Sequence, residues 1–96
     1  MRRIFIVTYD ISDPNRLRRV YKLMLGWGDH IQLSVFHCEL NPRELIELRA
    51  ELSRIIHHTE DQVLLIDVCA VDTKTPDTIT HVGRAYTDPE RLAIVI

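Results

Sequence analysis

Asp10 closes the run Val7-Thr8-Tyr9-Asp10-Ile11, a lone carboxylate at the end of an apolar, β-branched segment and just before the first helix signal. Flanked by Tyr9 and Ile11, it is expected to be partly desolvated and placed to hold a hard divalent cation. The plainer alternative is a turn-capping role, in which the same oxygens accept backbone N–H groups. One Asp does not hold Mg²⁺ alone, because magnesium takes one or two carboxylates together with water and substrate oxygens. A two-fold homodimer supplies the second Asp10 by symmetry.

Arg16, Arg18, Arg19 and Lys22 form the second group. On a helix Arg18 and Lys22 share a face at i, i+4, and Arg16 and Arg19 flank it. A helix start followed by arginines meets phosphates well, through the free N–H groups and bidentate guanidinium contacts. A solvated outer face accounts for the same charges and is the commoner case for a charged helix, while their position one turn after Asp10 strengthens the functional reading. Gln32 and Ser34 would share one face of a strand, as sheet or interface partners, and Phe36 reads as core. The five histidines show no metal-ligand spacing, and His57-His58 closes a helix where positive charge suits the dipole. Cys38 and Cys69 make no Cys-x-x-Cys pair and read as small core residues. Neither a Gly-rich phosphate loop nor a nucleophile with a recognisable partner is present.

These residues need a frame. Residues 3–9 read as a strand buried on both faces. Asp13 and Pro14 open a helix, as cap and first helical residue, and Leu17, Val20, Tyr21 and Met24 give it one apolar stripe. Gly26 and Gly28 end it. Residues 30–40 are β structure, with a bulge or tight reversal at Val35-Phe36 that leaves one kinked strand or two. Asn41 and Glu44 make a capping box for a helix running to about Ile56, with Leu45, Leu48, Leu52 and Ile55 as its stripe. Strands at 63–71, 79–85 and 92–96 follow, with a loop at 72–78 and a turn at Asp88-Pro89. Helices on one face of a sheet make an α+β sandwich, best matched by a ferredoxin-like arrangement as a single domain over residues 1–96. The apolar terminal strand at 92–96 exceeds that fold's needs and is expected to pair across a homodimer.

Composition narrows the field. The 96 residues are 46% hydrophobic and 27% charged, enough for one packed core and against disorder. Neither a membrane-spanning stretch nor a signal peptide is visible, so a reduced cytoplasm is expected. The net charge is −2, with six Lys/Arg against four Asp/Glu in residues 1–40 and six against ten in residues 41–96. Nucleic-acid contact must therefore be local to the basic helix rather than spread over the surface.

Tyr9-Asp10-Ile11 after an apolar strand, Arg16-Leu17-Arg18-Arg19-Val20, Gln32-Leu33-Ser34-Val35-Phe36 and Glu39-Leu40 together resemble the CRISPR-associated protein two family, the small partner of the CRISPR adaptation integrase. The resemblance is close over the first 40 residues and continues in order and spacing through the second helix and the strand after it. It implies a ferredoxin-like homodimer with a metal-binding acidic residue at the end of the first strand. That role falls on Asp10 as catalytic and metal residue, with Mg²⁺ or Mn²⁺ as cofactor. The family's nucleic-acid-binding arginines fall best on Arg19, with Arg16 and Arg18 beside it and Lys22 joining on charge. The implied activity is metal-dependent endonucleolytic cleavage of single-stranded RNA or double-stranded DNA. The implied partners are nucleic acid, a second copy, and the adaptation integrase (CRISPR-associated protein one), in a complex that inserts spacers into the CRISPR array.

Three other readings compete. A non-catalytic DNA-binding bridge for the integrase needs only charge and shape. A related ribonuclease toxin shares the fold and the strand-end Asp. A ferredoxin-like RNA-binding or ligand-sensing module fits poorly, because the aromatic RNA-recognition motif and a Gly-rich ligand loop are both missing.

Overall fold

Six elements follow one another in the computed structural model, which describes residues 1–72 and 79–84. They are β1 (Arg3–Asp10), α1 (Pro14–Leu25), β2 (Asp29–Gln32), β3 (Val35–Leu40), α2 (Pro42–Ile55) and β4 (Gln62–Ala70). The strands form one antiparallel sheet in the order β2-β3-β1-β4. This is the ferredoxin-like α+β arrangement expected from the sequence, with β1 central.

Alternation along β1 builds the core. Phe5, Val7 and Tyr9 bury with Val20 and Met24 of α1, Phe36, Cys38 and Leu40 of β3, and Leu48 and Leu52 of α2. Each large apolar side chain buried this way contributes roughly 1.5–3 kcal/mol. The other face of β1 carries Ile6, Thr8 and Asp10, which the helices do not cover, so only one face is sealed within a single chain. The same split divides β4: Val63 and Leu65 pack against the core, whereas Leu64, Ile66 and Val68 are 46%, 48% and 42% exposed.

Local signals hold where their partners are near in sequence. Asp13 caps α1 by accepting the Arg16 N–H at 2.9 Å, with Pro14 opening the helix. Asn41 and Glu44 exchange both capping-box bonds, at 2.8 and 2.9 Å, and α2 ends at Ile55. In α1 the apolar stripe is sealed only at Val20 and Met24; Leu17 and Tyr21 lie at its margin, 40% and 36% exposed. Gly26 ends α1 in a right-handed conformation (φ −83°), so its freedom to turn left-handed is not what stops the helix. Gly28 is required for space, because a Cβ there would stand 2.5 Å from both Cys38 Sγ and the His37 carbonyl oxygen.

Residues 30–40 are two strands, and the reversal lies at Leu33-Ser34 rather than at Val35-Phe36. Leu33 adopts φ +35°, a left-handed conformation unusual for a side chain of its kind. The Leu33 carbonyl accepts from His30 Nε2 at 2.6 Å, and the Ser34 carbonyl accepts the Tyr9 N–H at 3.1 Å. Gln32 and Ser34 therefore do not share a strand face; Gln32 ends β2 and Ser34 lies in the turn. The strand expected at 79–85 is absent over residues 79–84, where Gly83 turns at φ +86°. The expected strand at 92–96, and its pairing across a dimer, lie outside the described residues.

Candidate metal centre and nucleic-acid face

Asp10 is the last residue of β1, opposite Gln62 of β4, and exposed rather than partly desolvated as its apolar neighbours suggest, because Tyr9 turns to the other face. Tyr9 before it points the other way, 6% exposed and stacked on Phe36 with ring centroids 6.2 Å apart. Burial first, and the neighbouring Tyr21 second, push the Tyr9 hydroxyl pKa up, which suits a core residue. By alternation Asp10 faces the side of the sheet that carries Ile6 and Thr8. No hydrogen bond or ion pair to its carboxylate is formed among the described residues, so its oxygens are not committed to capping the turn.

The loop after Asp10 is tied elsewhere. Ser12 donates its N–H and its hydroxyl to Asp61 Oδ1, at 3.0 and 3.1 Å. Arg16 donates Nε to Asp61 Oδ2 at 2.7 Å and Nη2 to Oδ1 at 3.2 Å, a bidentate pair. The His57 N–H adds a bond to Oδ2 at 2.8 Å, and Glu60 Oε1 accepts from Arg16 Nη2 at 3.2 Å. The Asp61 side chain has no exposed surface. The Arg16 hydrogen bonds hold its carboxyl well below the usual range; burial opposes them, and the His57 and Ser12 donors reinforce them. The same bond raises the Arg16 guanidinium pKa, against a lowering by burial.

This network revises the expectation for Arg16. Its guanidinium is 23% exposed and spent on two carboxylates, which leaves it poorly placed for phosphate. Arg18, Arg19 and Lys22 are exposed on α1, and the contact from Arg18 Nη1 to Asn15 Oδ1 is long at 3.4 Å. Phe36, with no exposed surface, is core. His57 and His58 lie beyond α2, where the His58 ring donates to the Ser53 carbonyl at 3.0 Å and satisfies one of the helix's last acceptors.

Among the described residues no three His, Cys, Asp or Glu side chains come together as metal ligands. A single protomer thus offers one hard carboxylate at this position. That donor is of the hard oxygen type that magnesium or manganese takes. Ser12, Glu60 and Asp61 escaped the sequence reading, since nothing near Asp61 in the chain signals a partner 45 residues away.

The model of the CRISPR associated protein Cas2 family matches residues 1–75. The chain belongs to the Cas2 family. It is 34% identical to the CRISPR-associated endoribonuclease Cas2 of Geobacter sulfurreducens, with 100% of both chains covered. It is 44% identical to a CRISPR-associated endoribonuclease Cas2 of Thermodesulfovibrio yellowstonii, over 82% of this chain and 96% of that one. Among solved structures, Streptococcus pyogenes Cas2 superposes with a TM-score of 0.69 at 28% identity, covering 83% of this chain and 99% of the other. A Thermus thermophilus protein, TT1823, superposes at 0.73 with 30% identity over 91% and 100%. No helix among the described residues of this Cas2 family member is long and apolar enough to cross a membrane.

Proposed function

We propose that this chain is a metal-dependent endonuclease of the CRISPR adaptation machinery that works as a homodimer, with single-stranded RNA as first substrate and double-stranded DNA as second. The observation that carries the reading is Asp10: an exposed carboxylate, uncommitted among the described residues, at the edge of a half-apolar sheet face. Its relatives from G. sulfurreducens and T. yellowstonii are named endoribonucleases, which puts RNA first.

In this reading a second copy covers Leu64, Ile66 and Val68, an apolar stripe that a lone protomer leaves exposed. The two-fold axis then brings two Asp10 carboxylates to one place. Magnesium or manganese bound there would supply positive charge to a phosphodiester and lower the pKa of a bound water. Asp10 contributes the hard oxygen donors. Arg18, Arg19 and Lys22, one helical turn beyond, hold the backbone phosphates without reading bases.

A second reading is favoured by the lone carboxylate per chain: a non-catalytic bridge that holds duplex DNA against the adaptation integrase. Cleavage of labelled single-stranded RNA and double-stranded DNA, with Mg²⁺, Mn²⁺ or chelator, separates the two. Metal-dependent cutting by the wild type that disappears in Asp10→Ala supports the nuclease. Absent cutting, or cutting that survives the substitution, leaves the bridge.

A further inference from the structure

We infer that Asp61 and Arg16 are positioning residues for Asp10, clamping the chain just downstream of it, where the sheet no longer holds it, so that its carboxylate is presented in one direction. The inference deepens the reading of Asp10 as a metal ligand and rests on it.

The Asp10 side chain has no partner of its own among the described residues, so its direction is inherited from the backbone. On the upstream side that backbone is held by the sheet. Asp10 pairs with Gln62 on β4, and the Tyr9 N–H reaches the Ser34 carbonyl on the other flank. Downstream, the chain leaves the sheet at Ile11, and the first point at which it is gripped again is Ser12, by Asp61. Asp61 immediately precedes Gln62. Two adjacent residues therefore hold the chain at Asp10 itself and two residues after it, at Ser12.

Arg16 holds the other end of the clamp. Its backbone N–H is bound by the cap Asp13, and its guanidinium by Asp61 and Glu60, so the 11–13 loop is closed between α1 and the β4 entrance. A buried carboxylate is tolerated only when its charge is fully paired. Asp61 meets that demand with donors from Ser12, Arg16 and His57, and two of these three flank the loop that follows Asp10. A ligand must be held within about 0.5 Å of its productive position, and loss of an outer-shell partner typically lowers metal affinity or activity 10–100-fold.

The test uses the full chain and Mn²⁺ alone as probe, with binding read by electron paramagnetic resonance. It adds kcat and KM on single-stranded RNA and hydrogen exchange at the Ser12 amide in metal-free protein. Asp61→Asn and Arg16→Ala are expected to weaken Mn²⁺ binding by roughly 10–100-fold and to lower kcat with KM little changed. Both should also speed exchange at Ser12. Arg16→Lys should recover part of the loss, which a merely folded-or-unfolded role would not produce. Ser12→Ala removes the hydroxyl's bonds to Asp61, Glu60 and Arg16 but keeps the Ser12 N–H on Asp61, and carries the test should Asp61→Asn fail to fold; a smaller loss of the same sign is expected.

Wild-type Mn²⁺ affinity and kcat in Arg16→Ala and Ser12→Ala, alongside loss of both in Asp10→Ala, would overturn the clamp and leave the metal reading standing. Unchanged Mn²⁺ binding in Asp10→Ala itself overturns both.

Discussion

Arg16 and Asp61 meet at 2.7 Å across 45 residues of sequence, joining the first turn of α1 to the entrance of β4. An arginine that sequence places among phosphate contacts is thereby drawn into the fold, and a carboxylate with no sequence signal becomes its anchor.

Acid stability should report this pair. The folded Asp61 carboxyl has a pKa below its unfolded value of about 4, so the unfolded chain binds the extra proton in the window between them. The stability it contributes is complete above about pH 5 and is lost as the pH falls from about 4 towards the folded value. Asp61→Asn should be less stable than wild type at pH 7 by chemical denaturation, with a gap that narrows below about pH 4. A gap that widens there would contradict the pairing.

Salt dependence separates the basic side chains. Arg18→Ala, Arg19→Ala and Lys22→Ala should each weaken nucleic-acid binding and reduce the slope of log K against log salt by about one. Arg16→Ala should leave that slope unchanged, because its charge already meets Asp61 and Glu60. Fluorescence anisotropy from 50 to 300 mM salt reads both. An equal slope change in Arg16→Ala would return it to the phosphate face.

Close packing at Gly28 gives a stability prediction free of any functional reading. Gly28→Ala forces a Cβ to 2.5 Å from Cys38 Sγ and the His37 carbonyl. Cys38 is fully buried among the core side chains, and the His37 carbonyl is part of the β3 backbone, so neither neighbour yields cheaply. A loss of about 1–3 kcal/mol is expected in urea unfolding.

Oligomeric state tests the open sheet face. Ile66→Asp alters a side chain 48% exposed in the protomer, so the fold should survive. If a second copy covers this stripe, burying the new charge should weaken dimerisation at least tenfold, about 1.4 kcal/mol. Light scattering over a concentration series measures it; an unchanged dimer would move the interface elsewhere.

What the sequence made legible was local. Asp13 with Pro14 and Asn41 with Glu44 announce helix starts because donor and acceptor lie three residues apart. The reversal lies two residues before the break in alternation because Leu33, which takes φ +35°, is a residue type that gives no signal of a left-handed position; only its tertiary setting, with its carbonyl accepting from His30 Nε2, marks the turn. An apolar β4 reads the same whether one face or both are covered, so the open stripe at Leu64, Ile66 and Val68 had no signature. Asp10 was visible as an isolated carboxylate after an apolar strand, whereas its clamp depends on tertiary neighbours that composition does not encode.

The sheet order has a consequence for synthesis. β1 emerges first yet sits between β3 and β4, so its outer flank waits until residues 62–70 have left the ribosome. Until then a strand rich in isoleucine, phenylalanine and valine has one ladder unfilled, the condition under which nascent chains pair wrongly with one another. The loop behind Asp10 is likewise slack until Asp61 arrives. Everything from β1 through Asp61 must be made before the tip of that strand has a fixed shape, so this corner of the molecule is begun well before it is finished.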